Sequence, residues 1–184
     1  YLSLQLAFYL ASWGMYRGSS FLLQKDYKVH KKVVEILFRS EYKELWGIDC
    51  RKLLKENFRY LIVQLSDQIK LEYEGYRHNL KGDKKQGISN TLVTKILMGT
   101  LGCVPAYDRF FTKGVRISNV ANANFNVKSI YQLAKFYCEN YDMFEKTRKS
   151  FRINNIEYPQ MKFIDMAFFQ IGLDKENKST HLMV

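Results

Sequence analysis

Residues 84–95 contain the side chains whose spacing best suits the binding of an anion. Lys84 and Lys85 precede Gly87, a residue that permits a tight turn, and Lys95 lies one turn into the helix predicted to follow. The first N–H groups of a helix lack intrahelical acceptors and the helix dipole makes that end positive, so such a turn can bind a phosphate. The candidate phosphate-contacting residues are Lys84, Lys85, Gly87, Ser89, Asn90, Thr91 and Lys95.

Asp108 is the candidate catalytic residue. The helix before it is predicted to end at Gly102, and Pro105 begins the next helix, where the missing proline N–H would be unpaired in any case. A carboxylate in that first turn is stabilised as an anion by the helix dipole and the nearby N–H groups. Because acidic residues are common in the first turn of any helix, a purely structural role fits Asp108 as well.

The order of these features resembles the helix-hairpin-helix DNA glycosylase superfamily. In that superfamily a Gly-hydrophobic-Gly hairpin leads into a helix, a short apolar connection follows, and an essential Asp stands at the start of the next helix. The resemblance covers residues 87–111, and the matching positions are Gly87-Ile88-Ser89, the helix through Leu101, Val104-Pro105-Ala106-Tyr107 and Asp108. It implies a helix-hairpin-helix-like element and a DNA-binding, base-excision-like protein.

The resemblance further implies a monofunctional N-glycosylase that acts on a base turned out of the duplex. Asp108 would stabilise positive charge developing on the deoxyribose or orient the attacking water, and Tyr107 would stack on the base. The position where bifunctional members carry a nucleophilic lysine falls near Thr91, which argues against lyase activity. The sequence departs from the family pattern at Ser89, in place of the second hairpin glycine, and at Lys85-Gln86, in place of a common Leu-Pro.

The composition points to a polyanionic partner. The chain of 184 residues has 29 Lys and Arg against 18 Asp and Glu, a formal net charge of +11. Such an excess creates a positive potential that attracts nucleic acid, and we expect DNA. Two other functions fit the same sequence: a noncatalytic helical module that binds nucleic acid or has a regulatory role, and a protein-interaction subunit whose exposed aromatic residues form the partner surface.

Metal and cofactor sites are not expected. The chain has three cysteines, too few for a four-thiolate zinc or iron–sulfur site and odd in number for a disulfide framework. Its three histidines have no paired spacing on one helix face. These residues are Cys50, Cys103, Cys138, His30, His78 and His181. We therefore expect no metal, no cofactor, and reduced thiols in a cytoplasmic, intracellular protein.

The hydrophobic pattern predicts an all-α fold: a compact multi-helix orthogonal bundle forming a single helical domain over residues 1–184. Only two prolines interrupt the chain, and apolar residues recur at helical spacing. The predicted helices run over residues 2–13, 29–37, 49–76 and 89–101, from 105, from 126 into the 140s, and from 159 to 172. The pattern allows an internal bend or break in the helix over 49–76 and a break near Asn140 in the one from 126. Residues 174–184 are expected to be a flexible tail.

The first sixteen residues carry no charge, yet they do not predict a membrane span. This run is shorter than the about 20 residues that a bilayer requires, and it includes Ser3, Gln5 and Ser12. We therefore expect a helix buried in the bundle and no membrane partner. Because the sequence begins with Tyr1 rather than Met, we also expect a processed or truncated chain.

Overall fold

The computed structural model describes residues 1–18, 20–77, 87–152, 154 and 156–181. In these ranges α-helices pack into a compact bundle, so the predicted all-α fold is confirmed. Short 3-10 helices at Phe21–Gln24, Tyr27–His30 and Ser40–Leu45 join some of them. The α-helices are α1 (Leu2–Ser12), α2 (Lys31–Leu37), α3 (Cys50–Leu53), α4 (Glu56–Arg77), α5 (Asn90–Thr100), α6 (Arg109–Ser118), α7 (Val127–Glu139), α8 (Tyr141–Ser150) and α9 (Gln160–His181).

Polar side chains determine where several helices begin. Asp49 accepts a hydrogen bond from a backbone N–H in the first turn of α3, as the sequence predicts, and Ser89, Asp108 and Asn126 do the same for α5, α6 and α7. Each of these bonds satisfies a donor that the helix leaves unpaired. The helix predicted to begin at Pro105 begins at Arg109 instead, because Asp108 is its cap. The stretch before α5 that would complete a hairpin, residues 78–86, lies outside the described residues, and the helix-hairpin-helix-like element remains a prediction.

The helix α1 lies at the surface, which corrects the expectation of a helix buried on most sides. Leu6 and Leu10 are its buried residues, whereas Phe8 exposes 69% of its surface. Apolar residues on every face of a helix usually indicate central burial, so the sequence was misleading here. Among the helices in the described ranges, none is long and apolar enough to cross a membrane.

A buried carboxylate, Glu145, joins several helices through one polar network. It accepts hydrogen bonds from the Tyr137 hydroxyl (2.7 Å), the Arg148 guanidinium (2.7 Å) and the Gln160 amide (2.9 Å). Burial alone would raise the pKa of Glu145, but these hydrogen bonds outweigh it and lower the pKa to about 2. The Gln160 side-chain oxygen accepts from the Cys50 N–H at 2.7 Å, so the network connects α3, α7, α8 and α9.

The helices α6 and α9 approach each other closely at two glycines. A Cβ atom on Gly114 would lie 1.9 Å from the carbonyl oxygen of Phe168, and one on Gly172 would lie 2.0 Å from that of Phe110. Only glycine fits such backbone-to-backbone contacts. The prediction that the last helix ends at Gly172 is therefore wrong. That glycine permits helix packing, and α9 continues through the first part of the expected tail to His181.

We expect Gly114→Ala to reduce the free energy of unfolding by about 1–3 kcal/mol or more, because the added methyl group must push α6 and α9 apart. Gly75→Ala on α4 is the matched control, since a Cβ there meets no atom of the described residues within 4 Å. The control is expected to gain about 0.4–1 kcal/mol from reduced freedom of the unfolded chain. Urea unfolding measures both changes, and equal stability of Gly114→Ala and the wild type would contradict the close packing.

Candidate functional site

An open groove of about 960 Å³ brings the predicted catalytic residue together with part of the predicted phosphate site. It is lined by residues 11–17, which end α1 and enter the next loop, by the start of α5 and by the start of α6. The charged side chains in its lining are Arg17, Lys95, Asp108 and Arg109. Positive groups therefore outnumber the single carboxylate, which favours an anionic ligand.

The Asp108 carboxylate is fixed at the start of α6. Its Oδ1 accepts hydrogen bonds from the backbone N–H groups of Phe110 (3.1 Å) and Phe111 (3.0 Å), the usual geometry of a residue that caps a helix. Its Oδ2 lies 3.8 Å from Lys95 Nζ. The side chain is 12% exposed, so the second oxygen combines a rigid position with access to the groove.

Lys95 places a nearly buried ammonium group beside that carboxylate. Its side chain is 8% exposed, its Nζ donates a hydrogen bond to the Trp13 carbonyl oxygen at 3.2 Å, and the same atom lies 5.2 Å from the Trp13 ring centre. Burial lowers the pKa of Lys95, and the carboxylates of Asp108 and Asp165 oppose that shift. Because a buried charge requires compensation, these contacts hold α1, α5 and α6 together around the ammonium group.

The two arginines of the groove differ in how they are compensated. The Arg109 guanidinium lies 2.8 Å from the Glu176 carboxylate and 4.6 Å from the Phe110 ring centre. Arg17 is exposed, and within the described part of the chain it forms no ion pair. Arg17 is therefore the groove cation with the most freedom to bind an incoming anion.

The structure separates the predicted phosphate-contacting residues into two groups. Thr91 and Lys95 line the groove, and the Thr91 hydroxyl donates to the Tyr107 carbonyl oxygen at 2.9 Å. Gly87, Ser89 and Asn90 are exposed and lie outside the groove lining. Ser89 caps α5 by accepting a hydrogen bond from the Leu92 N–H, and Gly87 does not adopt a positive φ. Lys84 and Lys85 fall outside the described residues.

Tyr107 is buried in the core rather than placed beside a ligand. Its ring is 5% exposed and makes edge contacts with Phe111 and Phe125 at centroid distances of 5.2 and 5.3 Å. Its hydroxyl forms a hydrogen bond with the Ser129 hydroxyl at 2.8 Å. No ring face is left for a base, which corrects the predicted stacking role of Tyr107.

Three groove residues from the N-terminal segment were not predicted: Trp13, Tyr16 and Arg17. The sequence favours a core position for Trp13, yet its ring is only partly buried. The contact between Trp13 and Lys95 joins residues 82 positions apart in the chain. No local pattern reports such a pairing, because periodicity describes one element at a time.

A smaller cleft of about 370 Å³ adjoins the groove at Trp13. Trp46 and Tyr158 contribute aromatic rings to its lining, together with the Lys162 side chain. Lys162 Nζ lies 4.9 Å from the Trp13 ring centre and 3.1 Å from an oxygen of Asp165. Trp13 therefore lines both cavities and has two ammonium groups near its ring.

A buried histidine lies behind the groove. His30 is fully buried, and its Nε2 and Nδ1 atoms form hydrogen bonds of 2.6 Å with the hydroxyls of Tyr16 and Tyr73. Burial lowers the pKa of His30 from 6.5 to about 4. The ring is therefore neutral at physiological pH, and its protonation favours the unfolded chain.

The low pKa of His30 predicts that stability falls in acid. The unfolded chain binds this proton near pH 6.5 and the folded chain near pH 4, so the free energy of unfolding should fall by about 3 kcal/mol as pH decreases through that window. Glu145 adds a second loss at lower pH, between 4.5 and 2. Urea unfolding of wild type and His30→Gln at pH 7, 5.5 and 4.5 isolates the histidine. The variant should show a flatter pH dependence, and identical slopes would refute the assignment.

Neither a metal-binding cluster in the described residues nor a similar known protein indicates the function of this chain. In the described residues, no group of three or more His, Cys, Asp or Glu side chains is placed to hold a metal ion. In comparisons with known proteins, no family model, no curated protein and no solved structure matches the chain. The groove is therefore the feature of this chain that bears on its function.

Proposed function

We propose that this protein binds DNA through the groove and acts as a base-excision-like protein, a monofunctional N-glycosylase on a base turned out of the duplex. The observation that carries the proposal is that Asp108 and Lys95 lie 3.8 Å apart in one groove of about 960 Å³. The resemblance of residues 87–111 to helix-hairpin-helix DNA glycosylases supports the same function.

The cations of the groove supply the affinity in this proposal. Arg17, Lys95 and Arg109 line the same cavity, and the chain as a whole has a formal net charge of +11. Phosphate neutralisation by such groups releases counterions from DNA and provides most of the sequence-independent binding energy. The backbone of DNA is thus expected to lie along these residues.

The Asp108 carboxylate supplies the chemistry. Its Oδ1 is occupied by two backbone N–H groups, whereas its Oδ2 is 3.8 Å from Lys95 Nζ, longer than a normal hydrogen bond. A phosphate oxygen that takes the Lys95 ammonium as its partner would leave Oδ2 free beside the sugar. There the carboxylate would stabilise positive charge on the deoxyribose as the base departs, or orient the attacking water.

A noncatalytic nucleic-acid-binding module is the second candidate function. It is favoured by the complete set of structural contacts that Asp108 makes, because a residue that caps α6 and pairs with Lys95 already has a role in the fold. Under this alternative the groove binds the backbone and releases no base.

The catalytic candidate predicts a specific loss in Asp108→Asn. Asparagine keeps an oxygen that can cap α6 but removes the charge, so base release in single-turnover assays on duplexes carrying damaged bases should fall by on the order of 100-fold or more. Asp142→Asn, an exposed change in the first turn of α8, is the matched control and should keep full activity. A different result would favour the noncatalytic module. In that case the wild-type protein releases no base from any such duplex and binds an abasic-site analogue no better than undamaged DNA.

DNA binding itself predicts a change in salt dependence for Arg17→Gln. The loss of one phosphate contact should reduce the slope of log affinity against log salt concentration by about 0.9. Lys146→Gln on α8 removes the same charge from an exposed position outside the groove and should leave the slope unchanged. Fluorescence anisotropy with a labelled duplex measures both, and equal slopes for the two variants would argue against the groove as the DNA site.

A further inference from the structure

Tyr16 is a groove residue whose hydroxyl forms a short hydrogen bond with a buried histidine. It lines the groove, and its oxygen lies 2.6 Å from Nε2 of the buried His30. The opposite ring nitrogen of His30 lies 2.6 Å from the hydroxyl of Tyr73, which is also fully buried. Edge-to-face contacts between the rings, with centroids 6.1 and 5.8 Å apart, fix their orientation.

This chain of hydrogen bonds has a direction, because a neutral imidazole carries one N–H donor and one acceptor nitrogen. In the described part of the chain, the Tyr73 hydroxyl has His30 as its one hydrogen-bond partner. A buried O–H without an acceptor is costly, so Tyr73 donates to Nδ1. The His30 proton therefore resides on Nε2 and is donated to the Tyr16 oxygen.

The direction of the chain leaves the proton of the Tyr16 hydroxyl without a hydrogen-bond acceptor among the described residues. Burial raises the pKa of this hydroxyl, and the Asp26 carboxylate is near enough to raise that pKa further. The oxygen of Tyr16 is already an acceptor for His30, and the described residues give this hydroxyl no second hydrogen bond. A half-buried donor in that state requires an acceptor from the groove, either water or a ligand. Tyr16 is thus preset to donate rather than to accept.

The groove around Tyr16 is rich in donors. Arg17 and Lys95 are donors only, and the single carboxylate in the lining, Asp108, has one oxygen occupied by two backbone N–H groups. A ligand that fits this set must offer several acceptor oxygens and negative charge. A phosphate group has both properties.

We infer that Tyr16 is a ligand-binding residue of the groove, whose hydroxyl donates a hydrogen bond to a phosphate oxygen while the His30–Tyr73 pair holds it in position. This inference rests on the proposed binding of DNA for the source of the phosphate. His30 and Tyr73 act through Tyr16 and are positioning residues.

The binding test compares Tyr16→Phe with the wild type on two probes, an undamaged DNA duplex and inorganic phosphate. The change removes one oxygen and keeps the ring, so we expect the affinity for duplex DNA to fall about tenfold, the effect of one hydrogen bond to a charged acceptor. Tyr60→Phe on α4 is the matched control, because Tyr60 is 57% exposed and lies outside the groove. It should bind as the wild type does.

The two tryptophans of the chain allow binding at the groove to be observed directly. Trp13 lines the groove and Trp46 does not, so a Trp46→Phe background leaves Trp13 as the one tryptophan of the chain. Quenching or a spectral shift of Trp13 on titration then reports binding at the groove or at the adjoining cleft that Trp13 also lines, and a weaker response in Tyr16→Phe assigns it to the groove. Urea unfolding of each variant at pH 7 separates a loss of affinity from a loss of folded protein.

The positioning role has its own measurement, the ¹⁵N chemical shifts of the His30 ring at pH 7. We expect the tautomer protonated on Nε2, and a proton on Nδ1 would overturn the direction of the chain and with it the inference. This readout needs no ligand and reports only on where the proton resides. It is therefore independent of whether DNA is the partner.

The outcomes separate the two proposals. Weaker DNA binding by Tyr16→Phe, with an unchanged Tyr60→Phe control, supports the inference. Equal DNA binding by Tyr16→Phe and the wild type overturns it and leaves the proposed function standing. If the wild type binds inorganic phosphate but no DNA, the proposed function fails and the effect of Tyr16→Phe on phosphate affinity decides the inference. If it binds neither probe, both proposals fall.

Discussion

The buried ammonium group of Lys95 is the charge around which the groove is built. A cation with 8% of its side chain exposed is stable only when its surroundings replace the lost water. The Trp13 carbonyl oxygen, the Trp13 ring and the Asp108 carboxylate do so, and they come from the end of α1 and the start of α6. The compensation of one charge therefore brings together three segments that are distant in sequence.

A second ammonium group near the Trp13 ring, that of Lys162, is compensated in the same way. Lys162 lies 4.9 Å from the ring centre and pairs with Asp165, whose second contact is a hydrogen bond from the Ala106 N–H at 2.9 Å. Burial raises the pKa of Asp165. The connection before α6 is thus held from α9, and Asp108 is placed by contacts that reach well beyond its own helix.

The sequence predicted local structure well and assembly poorly. The cap at Asp49 was predictable, because capping depends on a side chain and the backbone next to it. The helix start at Pro105 was predicted wrongly, since Asp108 caps a helix that begins at Arg109. Gly172 was misread as a helix end because a glycine that stops a helix and one that admits a neighbouring backbone look alike in one sequence. The burial of Tyr107 could not be predicted, because its hydroxyl forms a hydrogen bond with Ser129, 22 positions away in the chain.

The groove shows which part of a site a sequence can indicate. Asp108 and Lys95 were found because a carboxylate at a helix start and a lysine after a turn have local meaning. The binding role inferred for Tyr16 depends on its hydrogen bond to His30, a histidine with no recognisable sequence pattern around it. It also depends on the bond between His30 and Tyr73 of α4. A donor held in this way differs from a free surface tyrosine because its orientation is fixed before a ligand arrives, which reduces the entropy lost on binding.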